Sequence, residues 1–314
     1  RIFYGELWLS TRMAPACRRS GDSNLTENPV SDAGDGSGSS GTGSSRRKRV
    51  TTSDLSAMKG RGEKIAMLTC YDYLFAGILT ETAVDAVLVG DSLGQVVLGH
   101  DSTLPVTVDD MIHHACAVRR GLQGPLLIVD MPFLSYQVSD EDALRNAGRV
   151  MRETGAEAVK LEGATDSTLE RIRLIVDAGI PVMGHLGLTP QSVHELGGYS
   201  VRGRERKEAD RLRHDAGALE EAGCFSIVLE LMPTELAGEI SRSIRIPTIG
   251  IGAGAECDGQ VLVLPDMLGL NPSFNPTFLR RFAELGEAVR RGVDEYVSAV
   301  KSIEYPADSE SYEG

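Results

Sequence analysis

The sequence predicts a (β/α)8 barrel. Eight short apolar, β-branched runs recur between residues 64 and 264, amphipathic stretches separate them, and several runs end on a residue able to do chemistry. Short runs that are apolar throughout suit strands covered on both faces, as in a parallel sheet wrapped by helices. Strict strand–helix alternation predicts parallel pairing. Eight units with no change of character in the second half favour closure over an open doubly wound sheet. In such a barrel the C-terminal strand ends meet on one rim, where active sites are built.

Residues 1–50 stand outside the barrel. Ser31–Ser45 is almost wholly Gly, Ser, Asp and Thr, which bury too little apolar surface to fold, so this extension is expected to be disordered. Arg46-Arg47-Lys48-Arg49 reads as linker charge rather than a nuclear-localisation or nucleic-acid patch. Arg1–Ser20, with Trp8, several arginines and few acids, has a faint transit-peptide character, and Met13 or Met58 are alternative starts. The barrel is assigned to 51–306 and a flexible tail to 307–314.

The strand candidates are 64–70, 85–91, 125–130, 156–162, 180–185, 224–230, 246–250 and 261–264. In 205–222, Ala209, Leu212, Ala216, Leu219 and Ala222 recur at helical spacing; in 277–300, Phe278, Phe282, Leu285, Val289, Val293 and Val297 do the same. Thr107-Val108-Asp109-Asp110, after Pro105, marks a helix start, with His113 and His114 as surface or packing residues of that helix. The connections 92–106 and 186–204 are longer than a barrel needs. Both follow strand C-termini, so they overhang the rim as lids or substrate loops.

The length of 314 residues suits one barrel of about 250 plus an appendage. A formal charge of −13, with six lysines among 32 basic residues, argues against a general nucleic-acid binder. No apolar run approaches the ~18 residues of a membrane span. Five cysteines, odd in number and never at CxxC spacing, argue against a disulfide framework or structural zinc. A reducing compartment follows: the cytoplasm, or an organelle if the extension is a transit peptide. Cys70 and Cys224 lie in strand-like runs and read as core residues rather than nucleophiles.

Asp91, Asp130 and Glu162 close three successive runs. Carboxylates brought together repel unless something positive sits between them, and hard oxygen ligands of this kind suit Mg²⁺, which keeps waters or substrate oxygens in its other positions. A single acid would as readily cap a helix or pair with an arginine; three at equivalent strand ends point to function. Lys160 and Glu162, two apart on one strand, face the same way and could hold a substrate carboxylate or enolate, a buried ion pair being the plainer alternative. Glu230 ends the sixth run before Leu231-Met232-Pro233 and is the general-base candidate. His185, in Gly184-His185-Leu186-Gly187, either orients substrate and relays a proton or is a structural histidine; the pattern leaves both open. Gly250-Ile251-Gly252-Ala253-Gly254 is either a phosphate cradle or a place of close backbone packing. It is not GxGxxG, so a dinucleotide site is poorly supported.

Several longer stretches resemble one family, ketopantoate hydroxymethyltransferase. They are Leu68-Thr69-Cys70-Tyr71-Asp72-Tyr73, Val89-Gly90-Asp91-Ser92-Leu93-Gly94, Gly99–Thr107, Asp130-Met131-Pro132-Phe133, Val159-Lys160-Leu161-Glu162-Gly163, Gly184–Ser192, Gly250–Gly254 and Asp258-Gly259-Gln260. They span about residues 51 to 306. The resemblance implies a barrel of the phosphoenolpyruvate/pyruvate type and hydroxymethyl transfer from 5,10-methylenetetrahydrofolate to 3-methyl-2-oxobutanoate through a Mg²⁺-stabilised enolate. It further implies a place in pantothenate and coenzyme A synthesis and a homo-oligomer, a pentamer of dimers. Carried over by position, Asp91, Asp130 and, less directly or through water, Glu162 hold the metal. Ser92, Asp130 and Lys160 contact the keto acid, with Asp91 also among the substrate-binding residues; His185 matches a residue near the substrate and Glu230 is the base candidate. The chain departs where the family usually has Gln at Arg202 and Gly at Glu205, which bears on the loop and on folate affinity; Arg202 and Arg204 are possible partners for the folate tail. Two other readings remain. A related Mg²⁺-enolate lyase or phosphonomutase should carry a catalytic cysteine in an overhanging loop, and none of the five lies there. A silent barrel kept for binding would have lost a metal acid, and all are present.

Overall fold

The computed structural model describes residues 48–195 and 197–312. The expectations for the disordered extension, the transit-peptide character and the first two residues of the basic cluster lie outside them. Eight parallel strands close into one barrel in chain order: β1 Ile65–Thr69, β2 Ala86–Val89, β3 Leu126–Asp130, β4 Ala158–Lys160, β5 Val182–Gly187, β6 Ser226–Glu230, β7 Thr248–Ile251 and β8 Gly259–Leu262, with β8 paired back to β1. Each strand candidate is a strand, displaced by at most two residues at most ends. The helices are α1 Thr52–Arg61, α2 Tyr73–Thr80, α3 Leu93–Val96, α4 Val108–Gly121, α5 Asp140–Thr154, α6 Asp166–Asp177, α7 Arg206–Glu221, α8 Thr234–Ser243, α9 Leu264–Met267 and α10 Leu285–Lys301. None of these is long and apolar enough to cross a membrane.

Two apolar layers follow from the two-residue repeat of a strand. One set of side chains, including Met67, Leu88, Ile128, Met183, Val228 and Ile249, fills the barrel interior. The alternate set, including Val87, Val129, Val159, Ile227 and Leu229, packs outward against the helices. The inward parity continues up each strand: after Leu126 and Ile128 comes Asp130, after Ala158 come Lys160 and Glu162, after Met183 comes His185, after Val228 comes Glu230. The apolar core therefore turns into a set of charged groups at one end without any break in the fold. The other end is plugged by α1, whose Leu55 is wholly buried within the interior layer. A capping box of Thr51 with Asp54 starts this helix, and Gly62 in the left-handed region ends it.

Thr107 caps α4 with its own capping box through Asp110, as the sequence pattern predicts. His114 Nδ1–H donates to the Tyr71 carbonyl at 2.7 Å, a packing role. One expectation is corrected. The helix assigned to 277–300 begins only at Leu285, because the backbone of the preceding segment is engaged elsewhere: Phe282 N–H donates to the Met267 carbonyl and Leu285 N–H to the Leu268 carbonyl. The glycine-rich run after β7 takes its plainer reading. A Cβ on Gly252 would meet Leu231 and Phe278, and one on Gly254 would meet Thr234, all closer than 3.0 Å or nearly so. Glu205, where the family pattern carries glycine, has φ −84 and ψ 139, which any residue adopts, so the departure costs the loop nothing.

Leu55→Ala removes the plug from the barrel floor and is expected to cost about 2–5 kcal/mol of unfolding free energy, as for other buried leucines. Urea denaturation reads this directly, and a loss under ~1 kcal/mol would mean that α1 does not close the barrel.

Candidate active site

The sequence-derived residues meet at the C-terminal rim. Asp130 ends β3, Lys160 ends β4 with Glu162 two residues on, His185 lies within β5 and Glu230 ends β6. Glu162 stays on the barrel wall because its neighbours keep pairing with β5: Leu161 N–H donates to the Met183 carbonyl and Gly163 N–H to the His185 carbonyl. Asp91 follows β2, and its N–H donates to Asp130 Oδ2 at 3.0 Å. Ser92 Oγ is 2.8 Å from the Tyr71 hydroxyl. All of the named residues thus come together, and Asp91, Asp130, Lys160, Glu162 and His185 are buried.

The chain geometry around β5 and β6 is specific. Gly187 has φ +94, and a Cβ there would fall 2.1 Å from the Glu230 carbonyl oxygen, so only glycine lets β5 pass this close. Leu188 N–H donates to that same oxygen at 2.9 Å. Leu231, directly after Glu230, sits at φ 46, an unusual conformation for a branched residue. It is held by Leu231 N–H to the Ile251 carbonyl and Arg202 N–H to its own carbonyl. These contacts fix where the Glu230 side chain leaves the barrel.

The charges form a chain. Lys160 Nζ is 2.7 Å from Asp130 Oδ1, 3.8 Å from Glu162 Oε1 and 3.4 Å from His185 Nδ1. His185 spans two acids, with Nδ1 3.3 Å from Glu162 Oε1 and Nε2 3.2 Å from Glu230 Oε2. Burial and the neighbouring Lys160 push the imidazole toward neutrality, but Glu162 and Glu230 outweigh them and hold its pKa up at about 9. Burial opposes the Lys160 charge too, and Asp130, Glu162 and Asp91 overcome it, so the ammonium is held above its ordinary value. Glu162 goes below the usual range: burial works against its charge, and His185 and Lys160 prevail. Asp91 goes the other way. Burial, then the negative charge of Asp130 and Glu162, raises it well above an ordinary aspartate.

Four carboxylates therefore face one lysine and one histidine, and Asp91 bears most of the imbalance; burial raises Asp130 as well, against the pull of Lys160. Among the described residues no three His, Cys, Asp or Glu side chains are grouped tightly enough to make a ready-formed metal cage. The residues nonetheless fit a hard cation on two counts. The donors are carboxylate oxygens. Asp130 Oδ1, though near Lys160, is off the direction of a hydrogen bond and is a buried oxygen without a donor.

The site opens into a cavity of about 1360 Å³. Its upper walls are apolar: Val201, Leu231 and Ile251 on one side, Phe274 and Phe278 from the segment after β8 on another, with Tyr199 from the β5–α7 loop. Arg202 is tied to Glu208 at 2.5 Å, while Arg204 is exposed. Among the described residues no cysteine lines this cavity. Burial pushes Cys70 up to about 11 and Cys224 up to about 12, which leaves both neutral.

Two functional neighbours carry no role in the sequence reading. Gln191, in a one-turn helix at Pro190–Ser192, donates from Nε2 to Asp91 Oδ2 and to the Met131 carbonyl, each at 2.9 Å, and from its N–H to Glu162 Oε2 at 3.0 Å. Tyr136 accepts from Glu162 N–H at 3.1 Å and donates to Gln191 Oε1 at 2.9 Å. Gln191 lies inside a stretch that carried the resemblance, which was the available signal. Tyr136 had none.

Residues 49–308 match the family model described as ketopantoate hydroxymethyltransferase. The 3-methyl-2-oxobutanoate hydroxymethyltransferase of Chlorobaculum parvum is 56% identical over 267 residues, covering 84% of this chain and 96% of the relative. That of Syntrophotalea carbinolica is 53% identical over 266 residues, covering 85% and 99%. Among solved structures, 2,3-dimethylmalate lyase, a member of the PEP mutase/isocitrate lyase superfamily, aligns with TM-score 0.53 at 17% identity over 83% of this chain and 91% of its own. Phosphonopyruvate hydrolase aligns with TM-score 0.55 at 11% identity over 84% and 92%. At such identities the likeness is one of fold alone.

Tyr136→Phe leaves Glu162 N–H without its partner in a buried site and Gln191 Oε1 with only the 3.3 Å bond from Gln137 Nε2. We expect a stability loss of about 1–3 kcal/mol by chemical denaturation. An unchanged midpoint would mean that the hydroxyl does not hold these two groups.

Proposed function

Because the chain belongs to the ketopantoate hydroxymethyltransferase family, we propose that it makes ketopantoate by moving a one-carbon unit from 5,10-methylenetetrahydrofolate to 3-methyl-2-oxobutanoate. It is an enzyme of the hydroxymethyltransferase kind. The observation that carries the finer reading is the convergence of Asp91, Asp130, Lys160, Glu162, His185 and Glu230 on one cavity. That cavity is larger than a five-carbon keto acid needs and has apolar walls suited to the flat rings of a folate.

In this reading Lys160 holds the keto acid's carboxylate, and the Ser92 hydroxyl, oriented by Tyr71, helps to position it. Asp91 and Asp130, with Glu162 directly or through water, would hold Mg²⁺, which supplies Lewis-acid polarisation of the keto group and offsets the excess of carboxylates. Glu230 takes the proton from C3 of the keto acid. His185, with Nε2 3.2 Å from Glu230 Oε2, keeps that carboxylate aimed and offers a path for the proton. Water adds to the methylene carbon of the donor as its two bonds to the folate nitrogens break and those nitrogens take up protons; the carbon nucleophile then bonds to that one-carbon unit, now at the oxidation level of formaldehyde, and its oxygen is protonated to the hydroxyl. Tetrahydrofolate and ketopantoate leave, in a step toward pantothenate and coenzyme A. The free thiols of Cys70, Cys116, Cys224 and Cys257 support placement in a reducing compartment, the cytoplasm or an organelle.

The test is mass spectrometry of the reaction with 3-methyl-2-oxobutanoate, Mg²⁺ and 5,10-methylenetetrahydrofolate, alongside an EDTA control and the Glu230→Gln variant. We expect ketopantoate that depends on the metal. In heavy water, exchange of the C3 proton should fall about 10²–10⁴-fold in the variant. Product formation insensitive to EDTA would remove the metal from the reading, and unchanged exchange would remove Glu230 as the base.

A further inference from the structure

We infer that Arg280 binds the glutamate carboxylates of the folate co-substrate at the outer edge of the cavity. The inference rests on the proposed folate-dependent reaction and gives the second substrate its direction in the site. Four basic side chains line the cavity: Lys64, Lys160, His185 and Arg280. Three of them are engaged. Lys160 Nζ is 2.7 Å from Asp130 Oδ1, and His185 lies between Glu162 and Glu230. Lys64 Nζ donates to the Cys257 carbonyl at 2.5 Å and to the Ala255 carbonyl at 3.3 Å. Arg280 pairs with no acid among the described residues; its guanidinium carbon lies 5.0 Å from the centroid of the Phe282 ring. Contact with a ring uses none of the five N–H donors of a guanidinium, so they stay open to another partner.

The Arg280 side chain is exposed, but the chain on either side of it is held. Phe278 packs over Gly252, where an added Cβ would sit 3.2 Å from the ring. Leu279 N–H donates to the Pro276 carbonyl at 3.0 Å and Phe282 N–H to the Met267 carbonyl at 2.8 Å. Arg281 has a different task. Its Nη2 donates to the Pro272 carbonyl at 2.9 Å and the Phe274 carbonyl at 3.3 Å, which ties the segment into a loop. Arg281 thus builds the segment, and Arg280 is presented by it.

A folate joins a flat ring system to a glutamate tail that is anionic at neutral pH, and the two ends need opposite surroundings. The floor of the cavity carries four carboxylates in a chain of formal charge −13, so an anionic tail is driven away from it. The one-carbon unit has to reach the keto acid beside Glu230. The rings therefore lie inward, against Leu231, Ile251 and Phe278, and the tail leaves along the segment that carries Phe274 and Arg280. A planar guanidinium takes a carboxylate through two parallel N–H···O bonds. The arginines of the β5–α7 loop fit this task less well: Arg202 is committed to Glu208, and neither Arg202 nor Arg204 lines the cavity.

The test is isothermal titration calorimetry on the full chain with Mg²⁺ and 3-methyl-2-oxobutanoate present. The probes are tetrahydrofolate, which carries no one-carbon unit to transfer, and 6-methyltetrahydropterin, which has the ring but no tail. Arg280→Gln should weaken tetrahydrofolate about 10-fold or more and leave the tail-less pterin unchanged. Arg280→Lys, which keeps the charge but loses the fork, should recover part of the loss. Added salt should weaken tetrahydrofolate binding more in the wild type than in Arg280→Gln. Equal tetrahydrofolate affinity in wild type and Arg280→Gln would overturn the proposal and leave the folate-dependent reaction standing. So would an equal loss for both probes, which would mean that Arg280 shapes the ring site instead. A loss in Arg204→Gln alone would assign the tail to the β5–α7 loop. Wild-type protein that binds no tetrahydrofolate would overturn the proposal together with the folate-dependent reaction.

Discussion

The site depends on an uneven balance of charge in a dry place. Asp91, Asp130, Glu162 and Glu230 face Lys160 and His185 at the mouth of a barrel with an apolar interior layer below them. Charges taken out of water cost several kcal/mol each unless they are paired. Lys160 reaches Asp130 and Glu162, and His185 reaches Glu162 and Glu230, so three of the four acids have a cationic neighbour. Asp91 accepts a hydrogen bond from the neutral amide of Gln191 and feels Lys160 only at longer range, so burial and its acidic neighbours push its carboxyl well above the ordinary range. A pattern that leaves charge to be balanced is poorly explained by stability, since apolar residues of the same size would serve that end better. The Mg²⁺ proposed for this site would bring the positive charge that the pattern lacks.

The rest of the rim exists to hold these groups still. Gly187 lets β5 pass against the Glu230 carbonyl, and the Leu231 backbone is tied on both sides, so the base candidate projects from a fixed point. Gln191 and Tyr136 bind the backbone and side chain of Glu162 from the far side. Fixed donors and acceptors of this kind need no reorganisation during a reaction, which is where much of an enzyme's rate advantage arises.

The barrel was legible because its physics is local. A strand covered on both faces must be apolar along its length, and a two-residue repeat then dictates that Asp130, Lys160, Glu162, His185 and Glu230 follow the interior positions of their strands. What the sequence hides is long-range. Tyr136 reaches Glu162 across 26 residues and Gln191 reaches Asp91 across 100, with nothing in the intervening pattern to mark them. The start of α10 was misplaced for a similar reason. The apolar spacing of Phe278 and Phe282 is helical, but Phe278 packs over Gly252 at the cavity wall and the backbone at Phe282 is held by Met267. The spacing of Val289, Val293 and Val297 does mark a helix, on which all three valines stay exposed.

The most direct measurement is electron paramagnetic resonance of Mn²⁺, as a stand-in for Mg²⁺, titrated with the folded protein in the absence of substrates. The charge imbalance predicts one bound ion per chain, displaced by Mg²⁺, and its loss in Asp130→Asn. A folded wild-type protein that leaves the Mn²⁺ signal free, or a variant that binds it as tightly, would contradict the assignment of these carboxylates to a metal.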